Sequence, residues 1–179
     1  MATEASFLVL DPDAIARDIC PENPRSVDLQ AGRLAIERLN LAIEHKQSFS
    51  LETTLAGASV LKRIQAARNA GFFVELRYVG LACFDLNIER VAQRVAKGGH
   101  AIDDQTIERR YKTSLANLPV ALQWVDEASI WDNSYEVPQL HLVVSPSSVT
   151  VLKANQPRWI KEIFNAVKLV RVVTDVAAD

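Results

Sequence analysis

Phe7-Leu8-Val9-Leu10-Asp11-Pro12-Asp13 sets four apolar residues in an unbroken run before two acids and a proline. An apolar run this short, stopped by turn residues, has the profile of a strand buried on both faces, and Asp13 stands where a helix begins. Downstream the pairing of strand and helix repeats. Val27, Ala31, Leu34, Ala35, Leu39 and Ala42 recur at three- and four-residue steps and predict an amphipathic helix over 26–45. Residues 48–51 predict a second short strand, closed by Glu52, Thr53 and Thr54, and 56–70 predict a helix stopped at Gly71. The aromatic and β-branched residues of 72–81 predict a third strand.

Further along, helices are predicted over 85–97 and 103–118, separated by Gly98, Gly99 and His100, with Asp103 as a candidate N-cap and Pro119 bending or ending the second helix. Residues 128–131 predict a strand, 140–144 and 149–152 a hairpin, and a last helix follows Pro157. Strands alternating with helices specify an α/β layered fold with a mainly parallel sheet, whose ligands collect at the carboxyl ends of the strands. Asp13 and Glu52 both fall at such ends and are expected to open into one cleft.

Composition narrows the function. The 179 residues are 49% hydrophobic and 23% charged, ordinary globular values that a single domain of this length accommodates. A net charge of −2 leaves no cationic surplus for a nucleic-acid backbone or an anionic membrane, so neither partner is expected. No apolar run reaches the length of a spanning helix, and no signal segment opens the chain; with only Cys20 and Cys83, far apart, a reducing cytoplasm is the expected location.

The chemistry-bearing residues admit two readings each. Asp13 is either a helix cap or a general base able to take a proton from a substrate hydroxyl. Glu52 with Thr53 and Thr54 is either a turn or a clamp for polyol groups. Arg90 and Arg94 share a helix face, and Arg109 with Arg110 follows the glycine pair, so the two groups bracket a segment that suits a mobile lid over phosphates; the alternative is a solvated basic face beside Glu89 and Glu108. His45, His100 and His141 stand apart, no spacing proposes a metal site, and no Gly-x-Ser-x-Gly elbow is present.

Taken in order, Asp11-Pro12-Asp13-Ala14-Ile15-Ala16-Arg17, Pro21-Glu22-Asn23-Pro24, Ala31-Gly32-Arg33, Ser48-Phe49-Ser50-Leu51-Glu52-Thr53-Thr54-Leu55 and Gly71-Phe72-Phe73-Val74-Glu75-Leu76 resemble the zeta toxin family of P-loop kinases. So do Arg90-Val91-Ala92-Gln93-Arg94-Val95, Lys97-Gly98-Gly99-His100-Ala101-Ile102, Ile107-Glu108-Arg109-Arg110-Tyr111, Ser114-Leu115-Ala116-Asn117-Leu118 and Asp132-Asn133-Ser134. The resemblance runs from about Phe7 to Leu152. It implies a P-loop-kinase-like sheet with helices on both faces, a kinase domain over 1–152 and a helix and tail over 153–179. It also implies ATP and magnesium as cofactors, a small-molecule hydroxyl such as that of a UDP-amino sugar as acceptor, and an antitoxin protein as partner. Carried over by motif, Asp13 is the base, Glu52, Thr53 and Thr54 hold the acceptor, and Arg94 with Arg109 or Arg110 contacts phosphates.

The family opens with a strand and a Gly-x-x-x-x-Gly-Lys-Ser/Thr loop whose amides cradle phosphates. No such loop occurs here: the glycines are Gly32, Gly57, Gly71, Gly80, Gly98 and Gly99, and the only lysine beside one is Lys97. The chain is therefore expected to be inactive as written, either as the later part of a kinase or as a non-enzymatic remnant binding a small molecule or a protein. A different phosphotransferase of the same fold is the third reading.

Overall fold

The structure is a computed structural model that describes residues 7–57, 59–168 and 171–175. Asp11 ends β1 (Leu8–Leu10) and starts α1 (Pro12–Ile19): its carboxylate accepts the Asp13 amide at 2.8 Å, and Pro12 fills the first turn, where a missing N–H costs nothing. The cap is thus Asp11 rather than Asp13. A 3-10 turn, Pro24–Val27, leads into α2 (Asp28–Glu44), after which β2 (Phe49–Leu51) pairs with β1 in parallel, Leu8 opposite Phe49 and Leu10 opposite Leu51. Ile15 and Ala16 of α1 pack with Ala31 and Ala35 of α2, the expected apolar stripe. Burial of β1 differs from the expectation: Leu10 is fully buried, but Val9, whose side chain alternates onto the opposite face of the strand, is 58% exposed. These elements belong to one compact unit, Met1–Thr53.

The second unit, Thr54–Asp179, holds α3 (Val60–Asn69), β3 (Glu75–Gly80), α4 (Phe84–Ala96), α5 (Asp104–Ala121), β4 (Glu127–Asp132), β5 (Gln139–Val144), β6 (Ser148–Val151), α6 (Arg158–Val167) and β7 (Val172–Asp175). Its sheet runs β3-β4-β5-β6-β7, with the end pairs β3–β4 and β6–β7 parallel and the inner two antiparallel. Counting β1–β2, three of five ladders among the described residues are parallel, and the fold is mixed α/β. β7 adds a strand in a tail where the sequence predicted only the helix. Pro119 lies inside α5, which continues to Ala121; in the last turn its missing N–H leaves a single carbonyl, that of Leu115, without a helical partner.

Alternation decides which side of the sheet is covered. Ala128 and Ile130 of β4, Leu142 and Val144 of β5 and Val149 of β6 are all buried, packed in one cluster with Leu118, Ala121 and Leu122 of the α5 end and Trp159, Ile160, Ile163 and Val167 of α6. On β3 the row Glu75, Arg77 and Val79 is exposed, with Arg77 and Glu75 paired at 2.6 Å. Gly80 answers to space rather than to backbone freedom, because a Cβ there would stand 2.6 Å from the Trp159 ring. Arg171 fastens the far side of this unit: its guanidinium donates to the carbonyls of Ser145 at 2.8 Å, Val167 at 3.3 Å and Leu122 at 2.8 Å. Two of these acceptors are at helix ends, where carbonyls lack helical partners and favour a cation. Burial lowers the Arg171 pKa from its ordinary value.

A register shift at Ile130/Trp131 pairs Leu142 with Ile130 and Leu140 with Trp131, leaving His141 as the extra residue of a β-bulge. His141 is 2% exposed, and neither ring nitrogen finds a partner among the described residues. Burial pushes its pKa down; Lys153 acts in the same sense, and Asp132 opposes them.

Two outcomes follow from this packing. Gly80→Ala should cost about 1–3 kcal/mol through overpacking, whereas Gly32→Ala, on a helix with open space at the new Cβ, should gain about 0.5–1 kcal/mol; urea unfolding of both measures the contrast. Because His141 resists protonation in the fold and the unfolded chain takes up the proton near pH 6.5, acid favours unfolding. The urea midpoint should fall as pH drops through 6.5, and His141→Gln should reduce that fall.

Candidate functional site

Parallel pairing of β1 and β2 sends both strands out at the same end, and the Glu52 amide donates to the Leu10 carbonyl at 3.1 Å, extending the ladder by one bond. Asp13 and Glu52 therefore leave the sheet at its shared carboxyl edge, both exposed. Freed from capping by Asp11, the Asp13 carboxylate takes another partner: Arg25 reaches it through Nη1 at 3.3 Å and Nη2 at 3.5 Å, and also reaches Asp28 at 3.2 Å. Burial works against the Arg25 charge and is outweighed by the hydrogen bonds to Asp28 and Asp13 and their negative charge, so its pKa rises. Reading the sequence for acids missed Arg25. Its signal was Pro24, which starts the 3-10 turn and presents the next side chain back toward α1.

Thr53 closes the first unit and Thr54 opens the second, both exposed. Beside them Leu55 adopts φ 58°, left-handed backbone that a branched side chain rarely accepts. Its side chain is 2% exposed within the core, and its carbonyl accepts Asn117 Nδ2 at 2.8 Å. Such strain, of order 1–3 kcal/mol, persists only where surroundings over-determine it, and here it fixes the direction of the chain leaving the two threonines.

In the second unit Arg90, Gln93, Arg94 and Lys97 of α4 and its end, with Gly98 and Gly99, face Asn133, Tyr135 and Glu136 across an open groove of about 800 Å³. Three cations thus border one cavity, against one acid, with an aromatic ring that is 61% exposed on the opposite wall. Arg90 Nη2 donates to the Asn133 carbonyl, joining the two walls. Lys97, Asn133, Tyr135 and Glu136 were not picked out as binding residues from sequence: Lys97 and Asn133 fall within family motifs to which no binding role was carried over, and folding alone brings the two stretches face to face.

The glycine pair proves to be a helix stop. Gly98 has φ 89° and donates to the Val95 carbonyl at 2.9 Å, while the Gly99 amide donates to the Arg94 carbonyl at 2.9 Å, the paired bonds of a Schellman motif. Gly71, at φ 85°, ends α3 in the same way, its own amide bonded to the Arg68 carbonyl and that of Phe72 to the Ala67 carbonyl. At Gly99 a Cβ would stand 2.8 Å from the Arg94 carbonyl oxygen, so the second glycine is needed for space. After the break Asp103 caps α5, accepting the Thr106 amide at 2.8 Å; that hydrogen bond lowers its pKa, with Arg109 contributing by charge. Arg109 and Arg110 are exposed on α5 and do not line the groove, so the structure gathers Arg90, Arg94 and Lys97 and leaves the α5 pair apart.

Comparison with known proteins supplies the lineage. Over 108 residues the chain is 40% identical to an uncharacterized protein of Haemophilus influenzae, which covers 60% of this chain and 77% of the relative. It superposes with a TM-score of 0.54 and 10% identity on a chain from the PezAT chromosomal toxin–antitoxin system of Streptococcus pneumoniae, covering 92% of this chain and 66% of that one, just under two thirds. The fold is thus that of the zeta toxins, and the zeta toxin family profile matches residues 6–141: the chain belongs to the zeta toxin family.

Proposed function

We propose that this chain is the acceptor-binding and lid portion of an ATP-dependent small-molecule kinase. The observation that carries the reading is the clustering of Arg90, Arg94 and Lys97 around one groove, a set of donors suited to a polyphosphate. Tyr135 offers a nucleobase a face on which to stack. Among the described residues no group of three or more His, Cys, Asp or Glu is placed to hold a metal ion, so magnesium finds no ready protein cage here. When bound, ATP supplies the phosphoryl group; the residues of the chain bind, orient and move the proton.

On this reading Asp13 takes the acceptor hydroxyl proton as the oxygen attacks phosphorus, and Arg25 holds the carboxylate in place until the acceptor arrives. Glu52, Thr53 and Thr54 hold the remaining hydroxyls of a small acceptor, for which a UDP-amino sugar is the first compound to test. Arg94 and Lys97 contact phosphates from the groove, and the family motif adds Arg109 or Arg110, which stand outside that groove on α5. The protein works in the cytoplasm and pairs with an antitoxin. Both cysteines are free thiols, and no described helix is long and apolar enough to cross a membrane.

A second reading, a non-enzymatic binding protein, is favoured by one observation: the 179 residues contain no Gly-x-x-x-x-Gly-Lys-Ser/Thr loop. Two measurements decide. Titration of the chain with ATP should show binding that weakens about tenfold in Arg94→Ala, the loss of one charge-assisted contact, without a change in unfolding midpoint; equal affinity in the variant removes the groove from the reading. The chain alone should neither hydrolyse ATP nor phosphorylate the sugar. Joined behind a strand and loop of the family type it should do so with magnesium, and Asp13→Asn in that longer protein should abolish turnover while leaving acceptor affinity unchanged.

A further inference from the structure

Three successive residues at the carboxyl end of β4 tie that strand to the base of α4. The Asn133 amide donates to the Gly80 carbonyl at 2.9 Å, and the Asn133 carbonyl accepts from Arg90. Ser134 Oγ accepts the Ala82 amide at 2.7 Å and donates to Asp132 Oδ1 at 2.6 Å, while the Ser134 amide approaches the same oxygen at 3.3 Å. From the other side the Tyr111 hydroxyl lies 3.1 Å from the Leu81 carbonyl and 3.2 Å from that of Ala82. The short turn between β3 and α4 is held at each of its first two residues.

Asp132 is unusual in this arrangement. It is fully buried, and its second oxygen has no partner among the described residues. Burying a carboxylate so incompletely satisfied is costly, and a turn could be closed by neutral groups. What the charge adds is a strong acceptor that fixes the Ser134 hydroxyl hydrogen, leaving the oxygen lone pairs aimed at the Ala82 amide. Ser134 itself lies between Asn133 and Tyr135, two residues of the groove wall opposite Arg94 and Lys97.

We infer that Asp132 and Ser134 are positioning residues: the relay from the Ala82 amide through Ser134 Oγ to Asp132 Oδ1 sets α4, with Arg90, Arg94 and Lys97, against the Asn133–Glu136 wall, and so sets the width of the groove. The inference rests on the nucleotide reading of that groove, and its first readout is independent of it. In the ligand-free chain, amide exchange at Ala82 should rise about tenfold in Ser134→Ala and remain slow in Ser134→Thr, which keeps the hydroxyl. Asp132→Asn, which keeps an acceptor and drops the charge, should give a smaller rise and serves where Ser134→Ala folds poorly. Titration with ATP and magnesium should then show about tenfold weaker binding in Ser134→Ala, restored in Ser134→Thr. Unchanged exchange at Ala82 in both Ser134→Ala and Asp132→Asn overturns the relay. Faster exchange with unchanged ATP affinity overturns its positioning role. If wild-type chain binds no ATP while exchange responds as expected, the nucleotide reading falls and its positioning role with it, and the relay stands as a structural clip.

Discussion

The close contact between the Trp159 indole and Gly80 fixes how α6 of the second unit meets its sheet. A glycine at the end of β3 lets the ring of α6 approach the sheet, within 2.6 Å of where a Cβ would lie, and the Tyr78 ring on the same face meets it tilted by 54°, with 5.9 Å between ring centres. That approach sets how closely α6 lies on the strands, and Ile160, Ile163 and Val167 then find their places among Ile130, Leu142 and Val149. Gly80 is also the register partner of Asp132, so the position that admits the helix is the row at which the chain leaves the sheet for the groove. Packing on one side of that row and hydrogen bonding beyond it are geometrically linked.

Family membership and groove geometry bear on function differently. Membership rests on residues 6–141 and fixes the lineage, while the structural likeness at 10% identity speaks for the fold alone. The arginines and lysine of α4 are a separate, chemical argument, because convergence of like charges on one cavity carries a repulsive cost that an anion would relieve. The Arg25 bridge between Asp13 and Asp28 is the counterpart in the first unit, a cation already neutralised by two carboxylates.

Helices were legible where apolar spacing or a stop residue carried the signal. Ala31, Ala35, Leu39 and Ala42 are the buried residues of α2, and Gly71 ends α3. Strands carried less information. The apolar run at Phe7 predicted burial on both faces, but Val9 faces solvent, since composition reports what a strand tolerates and not what covers it. Strand β7 escaped notice because four residues in a tail have no turn signal, and their place depends on β6, a partner that sequence spacing does not reveal. At the site, Asp13 and Glu52 could be placed at strand ends because periodicity counts residues along one chain. Arg25, Asn117 and Ser134 could not, since each acts on a residue that folding alone brings near.

The exposed row of β3 carries a consequence for the behaviour of the chain in solution. Among the described residues β3 comes first in its sheet with β4 as its neighbour, and a strand at such a position presents backbone donors and acceptors to an extended segment that meets it. Glu75 and Arg77 occupy that row as a charged pair, leaving Val79 as its apolar end. Such charges act as gatekeepers: a foreign strand adding there must strip water from two ionised side chains before it gains the ladder. The charged pair therefore opposes strand addition at the amino end of β3 more than exposed, apolar Val79 does at its carboxyl end.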